Sequence, residues 1–143
     1  MTHRSTQKSA SLSRTGAAVL ALLLAGCGGS GGSPTDATAA FQPEISNRVD
    51  SFEYQVTGVR NVSTTQQYQW QNTGTMANVN QSSAVTAGTA TLILRDPAGG
   101  QVYSRDLKDN GTFVTSRGTS GTWTIQVVLS NVSGTLNFRV QKP

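Results

Sequence analysis

Very few residues of this chain could take part in catalysis. The sequence contains one cysteine, Cys27, one histidine, His3, and seven carboxylates. His3 lies in an N-terminal segment that has the features of a signal removed from the mature protein. Without histidine, neither a Ser-His-Asp nor a Cys-His arrangement can be built, and zinc loses its usual ligands. We therefore expect no catalytic residue, no metal site and no cofactor, and a protein that is not an enzyme.

Two carboxylates are spaced so that they could hold a cation. Asp106 and Asp109 flank Leu107-Lys108 in a segment that leads into Asn110-Gly111. Calcium prefers carboxylate and carbonyl oxygens, but this segment lacks the dense Asp and Asn alternation of an EF-hand loop. A polar hairpin loop is the favoured interpretation, because Asp109-Asn110-Gly111 is the strongest hairpin signal in the chain.

Two aromatic residues could stack against a ligand. Tyr68 and Trp70 alternate with glutamines between Gln66 and Gln71. Aromatic rings beside amide side chains are suited to a carbohydrate, so both are candidate ligand-binding residues. The competing interpretation is that both rings fill the core of a folded domain.

Residues 1–26 have the three parts of a secretory signal peptide. Arg4, Lys8 and Arg14 precede an apolar run at residues 17–24, and the small residues Ala25 and Gly26 follow. The run is well short of the roughly 20 residues that a membrane-spanning helix needs. A cleaved signal is therefore favoured over a transmembrane anchor.

The residues that end at Cys27 resemble a processing site. Leu24-Ala25-Gly26-Cys27 is similar to the lipobox of bacterial lipoproteins, Leu-(Ala/Ser)-(Gly/Ala)-Cys. The resemblance implies cleavage before Cys27, a diacylglyceryl thioether on its sulfur and usually a third acyl chain such as palmitate. Two or three chains anchor a protein stably, since each buried methylene contributes about 0.8 kcal/mol. Gly28, in place of Asp, implies the outer membrane if the host is Gram-negative; the alternative is an ordinary secretory signal with a chance cysteine.

Removal of the signal would change the charge of the chain. The whole sequence has eleven Lys and Arg against seven Asp and Glu. Three of the basic residues lie in residues 1–26, so the mature chain would be almost neutral. The high isoelectric point is therefore no indication of nucleic-acid binding, and we expect no nucleic-acid partner.

Residues 27–46 are predicted to be a tether. Residues 28–33 contain only glycine and serine, and Pro34, Pro43 and small polar residues follow up to Ser46. A chain of this composition behaves as a flexible coil. The tether would hold a single domain, residues 47–143, away from the lipid surface.

Strand periodicity runs through residues 47–143. Apolar and polar residues alternate most clearly at residues 52–56, 89–94, 123–129 and 136–140. Asp96-Pro97-Ala98-Gly99-Gly100 is a turn signal. Gly121-Thr122-Trp123 and Gly134-Thr135-Leu136 predict two successive strands entered by similar turns. The pattern predicts an all-β domain, an antiparallel β-sandwich of about 7–9 strands, either immunoglobulin-like or jelly-roll.

The C-terminal part of the chain resembles a known sandwich. Residues 121–127, with Gly121-Thr122-Trp123, and residues 133–138, with Gly134-Thr135-Leu136, are similar to the closing strands of the proprotein-convertase P-domain and related bacterial secreted domains. Such domains accompany proteases or serve as non-catalytic modules. The resemblance implies a sandwich fold and a non-catalytic role; the whole chain also looks like small bacterial lipoproteins with one β-domain.

These observations lead to one expected function and one alternative. We expect a lipoprotein anchored in the cell-envelope membrane through Cys27, with a non-catalytic structural or protein-interaction module that docks onto another envelope protein. The alternative is a lipid-anchored module that binds a ligand such as a carbohydrate through Tyr68 and Trp70.

Overall fold

The computed structural model describes residues 41–143. The predicted signal peptide, Cys27 and most of the predicted tether lie outside the described residues. Residues 41–143 contain seven strands and no helix, which confirms the all-β prediction. The strands are β1 (Glu44–Arg48), β2 (Ser51–Asn72), β3 (Asn78–Gln81), β4 (Ala84–Arg95), β5 (Gln101–Asp106), β6 (Gly111–Val114) and β7 (Gly121–Gln141).

Antiparallel hydrogen bonding joins all seven strands. The order along one path is β1-β2-β7-β3-β6, and β4 pairs with both β5 and β7. β2 and β7 have 22 and 21 residues and pair along nearly their whole length. The first half of β2 and the last half of β7 lie with β1, β3 and β6, which together form the first layer. The other halves lie with β4 and β5 and form the second layer.

The two layers are parts of one sheet that folds back on itself. Phe52 and Tyr68 both belong to β2, yet their ring centroids are only 5.4 Å apart. Sixteen residues of straight strand would separate them by roughly 50 Å. The sandwich is therefore made by bending long strands and not by stacking two independent sheets.

The bend follows a line of irregular residues across three strands. The β2–β7 register shifts between Val56 and Thr64, and the β4–β7 register shifts between Val85 and Thr89. Bulges of this kind bend a strand and increase its twist, and they make the corners at which strands pass between sheets. Residues with positive φ mark the line in each strand: Gly58, Asn61, Gly88, Asn131 and Gly134.

Two copies of one tripeptide close the bend. Asn61-Val62-Ser63 in β2 lies opposite Asn131-Val132-Ser133 in β7, with Val62 paired to Val132. The Asn61 N–H donates to Ser133 Oγ at 2.9 Å, and the Asn131 N–H donates to Ser63 Oγ at 2.8 Å. Both asparagines have φ near +50°, which asparagine tolerates better than most residues. The reciprocal bonds satisfy main-chain groups where the ladder is interrupted.

The core lies between the two layers. The predicted inward residues of the last strand are confirmed: Trp123, Ile125 and Val127 have no exposed surface, and Leu136 and Val140 have none either. From the other long strand, Phe52, Tyr54 and Trp70 complete the aromatic centre, and Phe138 stacks on Tyr54 with ring centroids 4.9 Å apart. Apolar area removed from water contributes roughly 25 cal/mol per Å², so these large rings dominate the stability of the fold.

The turn predicted at residues 96–100 is confirmed, whereas the predicted Asn110-Gly111 hairpin is wrong. The Asp96 N–H donates to the Gly100 carbonyl at 2.9 Å and closes the β4–β5 hairpin. β5 and β6 do not pair with each other, because β6 pairs with β3 in the opposite layer. The Asn110 side chain instead holds both main-chain groups of Ser83, at 2.7 and 3.0 Å. The segment is a crossover between layers.

Two further boundaries differ from the sequence prediction. The two Gly-Thr motifs at Gly121 and Gly134 belong to one strand, β7, because the second motif lies at the bend, where the chain keeps its partners in β2 and β4. At the other end, β1 begins at Glu44, inside the stretch predicted to be tether. Its five residues are ordered by pairing with β2, which the composition of the stretch does not reveal.

Candidate functional site

The predicted lipidation site, Cys27, lies outside the described residues. Within residues 41–143 there is no helix of the length and apolar character needed to cross a membrane. The part of the candidate site that the structure can describe is therefore the surface and the polar groups of the domain.

Trp70 lies in the core. Its side chain has no exposed surface, and its ring packs edge-on against Trp123 with centroids 5.9 Å apart. Its indole N–H donates to the Arg48 carbonyl at 3.1 Å, which ties β2 of the second layer to β1 of the first. In this position the ring presents no face to a ligand.

Tyr68 points to the same side of β2 as Trp70 but is only half-buried. Its ring lies 5.4 Å from that of Phe52 and 6.1 Å from that of Tyr54. Burial raises the pKa of both tyrosine hydroxyls. The Tyr54 hydroxyl donates to Gln66 Oε1 at 3.0 Å. The structure thus brings the two predicted aromatics onto one face, and only Tyr68 reaches the surface.

The carboxylates of the Asp106–Asp109 segment bond within the protein. Asp106 Oδ1 accepts the Lys108 N–H at 2.8 Å, and Asp109 Oδ2 lies 3.6 Å from Arg105 Nη1. The carbonyls of both aspartates accept the side-chain amide of Gln81, at 2.9 and 3.0 Å. In the described part of the chain, no three side chains of metal-ligating type come together.

Gln81 is an important residue that the sequence reading did not single out. It is 2 % exposed and lies at the end of β3, where its amide supports the crossover loop. The Tyr103 hydroxyl donates to Gln81 Oε1, and burial raises the pKa of Tyr103 to about 12. A buried amide must find partners, and here they come from β5 and the loop that follows it. The only sequence signal was its place at the end of an alternating segment.

The part of the second layer's outer side that β2 and β7 form carries uncharged polar side chains, and β4 adds Arg95 beside Thr124. Gln69 Nε2 donates to Thr124 Oγ1 at 3.3 Å, and Thr122 Oγ1 donates to Gln71 Oε1 at 3.1 Å. Residues 61–94 contain no Asp, Glu, Lys or Arg. We call this surface the amide face; its outward residues are Gln67, Gln69, Gln71, Thr122, Thr124 and Gln126.

The outer side of the first layer is charged and holds a shallow cleft. The cleft has a volume of about 270 Å³ and lies between β1, β2 and β7. Arg139 Nη2 and Glu53 Oε1 form an ion pair at 2.8 Å along its wall. Glu44 and Ser46 of β1 line the other side. The wall of this cleft is therefore charged, whereas the residues of the amide face are not.

Neither family models nor curated proteins supply a relative of this chain. No protein-family model matches it, and no curated protein matches it at a significant level. The likeness of residues 121–138 to the P-domain therefore stays a resemblance of short motifs. Any function must be argued from the residues and the geometry above.

Proposed function

We propose that this chain is a lipoprotein anchored in the cell envelope, whose β-sandwich is a non-catalytic module for contact with other proteins. The observation that carries the proposal is the order of segments in the sequence. A basic start and an apolar run lead to Leu24-Ala25-Gly26-Cys27, a Gly/Ser stretch follows, and a folded domain begins near residue 44. This order is typical of a protein that is exported, acylated and held off a membrane.

The roles of the acidic side chains support the non-catalytic part of the proposal. Asp96 accepts the Gly100 and Thr119 N–H groups at 2.8 and 3.0 Å and so fixes a turn. Asp106 fixes another turn, and Glu53 and Asp109 form surface ion pairs. Acidic groups used in this way stabilise loops and strands. An interaction module needs the rigid faces that such bonds maintain.

The alternative proposal is a ligand-binding module. Of the two candidate ligand-binding residues, Tyr68 is the one that is partly exposed. The neighbouring glutamines supply hydrogen-bond donors and acceptors. A carbohydrate that stacked on Trp70 as well would have to draw this side chain out of the core. We therefore place the interaction module first.

The anchor is tested with Cys27→Ser in the full chain. We expect the unchanged protein to incorporate an alkyne-labelled palmitate and to stay with the membrane fraction, and the variant to lose the label and become soluble. Ser30→Cys in the Cys27→Ser chain is a matched control, because it restores a thiol outside the lipobox. A labelled, membrane-bound Cys27→Ser protein would overturn the anchor.

The interaction role is tested separately in intact cells. Affinity-tagged protein is cross-linked through primary amines and purified, with the Cys27→Ser chain as the control for proximity at the membrane. Recovery of the same protein partners in repeated experiments, at levels reduced in the control, supports the proposal. A glycan that co-purifies with the protein before cross-linking, with no protein partner recovered after it, favours the ligand-binding alternative instead.

A further inference from the structure

β1 carries an acidic side chain at its first residue and a basic side chain at its last. Among the strands of residues 41–143, β1 ends the strand order of the first layer and pairs only with β2. Within residues 41–143, Glu44 is the one carboxylate that has neither an ion pair nor a hydrogen bond. At the other end of β1, Arg48 also lacks an ion pair among these residues. The five partnered carboxylates are Asp50, Glu53, Asp96, Asp106 and Asp109.

These two charges are arranged so that β1 is complementary to itself. Glu44, Ser46 and Arg48 share one face of the strand, because side chains alternate along it. In an antiparallel pair of β1 strands with Ser46 opposite Ser46, each Glu44 lies opposite the Arg48 of the other copy. Opposite charges directly across an antiparallel pair stabilise it, and this register forms two such pairs at once.

The free side of β1 also has the character of a strand edge that can accept another strand. The strand is short, at five residues, but it contains no lysine, proline or bulge, which are three of the features that block edge pairing. Ile45 is 37 % exposed and Val49 is 62 % exposed, and only Val114 joins them as an exposed large hydrophobic residue in residues 41–143. Pro43 precedes β1 and restricts the pairing to this short strand.

We propose that two copies of this protein pair through β1 in this antiparallel register, so that their first layers form one continuous sheet. The role of this pairing in the envelope rests on the proposed function. The pairing adds a second copy of the chain to the proposed partners. Thirteen residues separate Cys27 from Phe41, which packs against the core of the domain. At up to roughly 3.5 Å per residue, this is long enough for both chains to reach one membrane from opposite ends of the strand pair.

The register is tested by cross-linking the full chain in cell envelopes. Ser46→Cys places thiols at the two-fold axis, and a short bismaleimide should join them into a dimer. Thr122→Cys, on the exposed amide face, is the matched control and should give little dimer. The parent chain without an added thiol reports any reaction at Cys27.

Charge reversal then tests the pairing itself. In the Ser46→Cys chain, Glu44→Arg or Arg48→Glu should lower the dimer yield about tenfold, since both cross-strand pairs become repulsive. The double variant Glu44→Arg/Arg48→Glu should restore it. Arg60→Glu changes the net charge as much as Arg48→Glu at an exposed site away from β1, and should leave the yield unchanged.

Three results would overturn the proposal. One is equal cross-linking at residues 46 and 122, another is cross-linking of Ser46→Cys only to proteins of different mass, and the third is failure of the double variant to recover. The same series in the Cys27→Ser background, with soluble protein, separates this proposal from the anchor. A Cys27→Ser protein that stays in the membrane fraction and still cross-links through residue 46 would refute lipidation and keep the strand pairing.

Discussion

At the scale of single residues, alternation along a strand decides which side chains belong together, and packing decides their environment. Tyr68 and Trp70 share a face by strand periodicity alone. The sequence left open whether this face is a ligand surface or the core. In the fold, Trp70 is completely buried, with its ring packed against Trp123 and its N–H bonded to the Arg48 carbonyl. Tyr68 is only half-buried.

Trp70→Ala should therefore act on stability. Removing this ring leaves a cavity beside Trp123, so we expect the free energy of unfolding to fall by about 3–5 kcal/mol. Urea unfolding monitored by circular dichroism measures the change. Gln67→Ala, an exposed change in the same strand, should stay within about 0.5 kcal/mol of the unchanged protein. A Trp70→Ala protein as stable as its parent would contradict the core assignment.

At the scale of elements, the bends in β2, β4 and β7 make one sheet into a sandwich. Gly88 and Gly134 are required there for a steric reason as well as for their positive φ. A Cβ at Gly88 would overlap the Ser130 carbonyl oxygen, and one at Gly134 would overlap that of Ala84. The strands cross too closely at the bend for any side chain at either position.

A pair of glycine variants separates the effect of steric overlap from the effect of positive φ. Gly88→Ala and Gly58→Ala both place alanine at positive φ, but only Gly88 has atoms within 4 Å of the added Cβ. We expect Gly58→Ala to cost about 1–2 kcal/mol from backbone conformation alone, and Gly88→Ala to cost clearly more. Thermal and urea unfolding of both variants measures the difference. Equal losses would mean that crowding at the bend is relieved by a small shift.

At the scale of the whole molecule, Asp50 connects parts of the domain that are distant in sequence. Its N–H donates to the Gln71 carbonyl at 2.9 Å, and its own carbonyl accepts the Lys142 N–H at 3.1 Å. Its carboxylate accepts the Thr73 N–H at 2.7 Å and the Thr73 hydroxyl at 2.8 Å. The two bonds from Thr73 hold the pKa of Asp50 below its usual value, and the bond from the Thr73 N–H has the larger effect.

Acid should therefore weaken the domain partly through Asp50. A carboxyl group with a lowered pKa in the folded state stabilises that state above its unfolded pKa, and this contribution is lost as the pH falls through the folded value. We expect unfolding free energy to drop between about pH 5 and pH 2, and to drop less steeply in Asp50→Asn, which retains a residue that tolerates positive φ.

Equilibrium unfolding across this pH range tests the prediction. Gln67→Ala is the control, because it is an exposed change that removes no ionisable group and should leave the slope unchanged. An Asp50→Asn protein with the same acid dependence as its parent would show that other groups account for the effect.

Much of the fold could be predicted because it follows from local alternation. The inward residues Trp123, Ile125 and Val127, the turn at Asp96 and the all-β class all depend on contacts between near neighbours or on a period of two. The signal segment and Cys27 are likewise local patterns, and they stay predictions of the sequence. Seven strands fall within the range of 7–9 predicted.

Tertiary structure decided what depends on residues far apart in the chain. Asn110-Gly111 looks like a hairpin by itself, yet Ser83 binds Asn110 and turns the segment into a crossover. Gly134 looks like the start of a strand, yet its neighbours in β2 and β4 make it a bend within one. Four consecutive residues do not determine which layer holds the strand that pairs with them. For the same reason only the fold shows that Trp70 is enclosed and that, among the strands of residues 41–143, β1 lies at the end of the first layer.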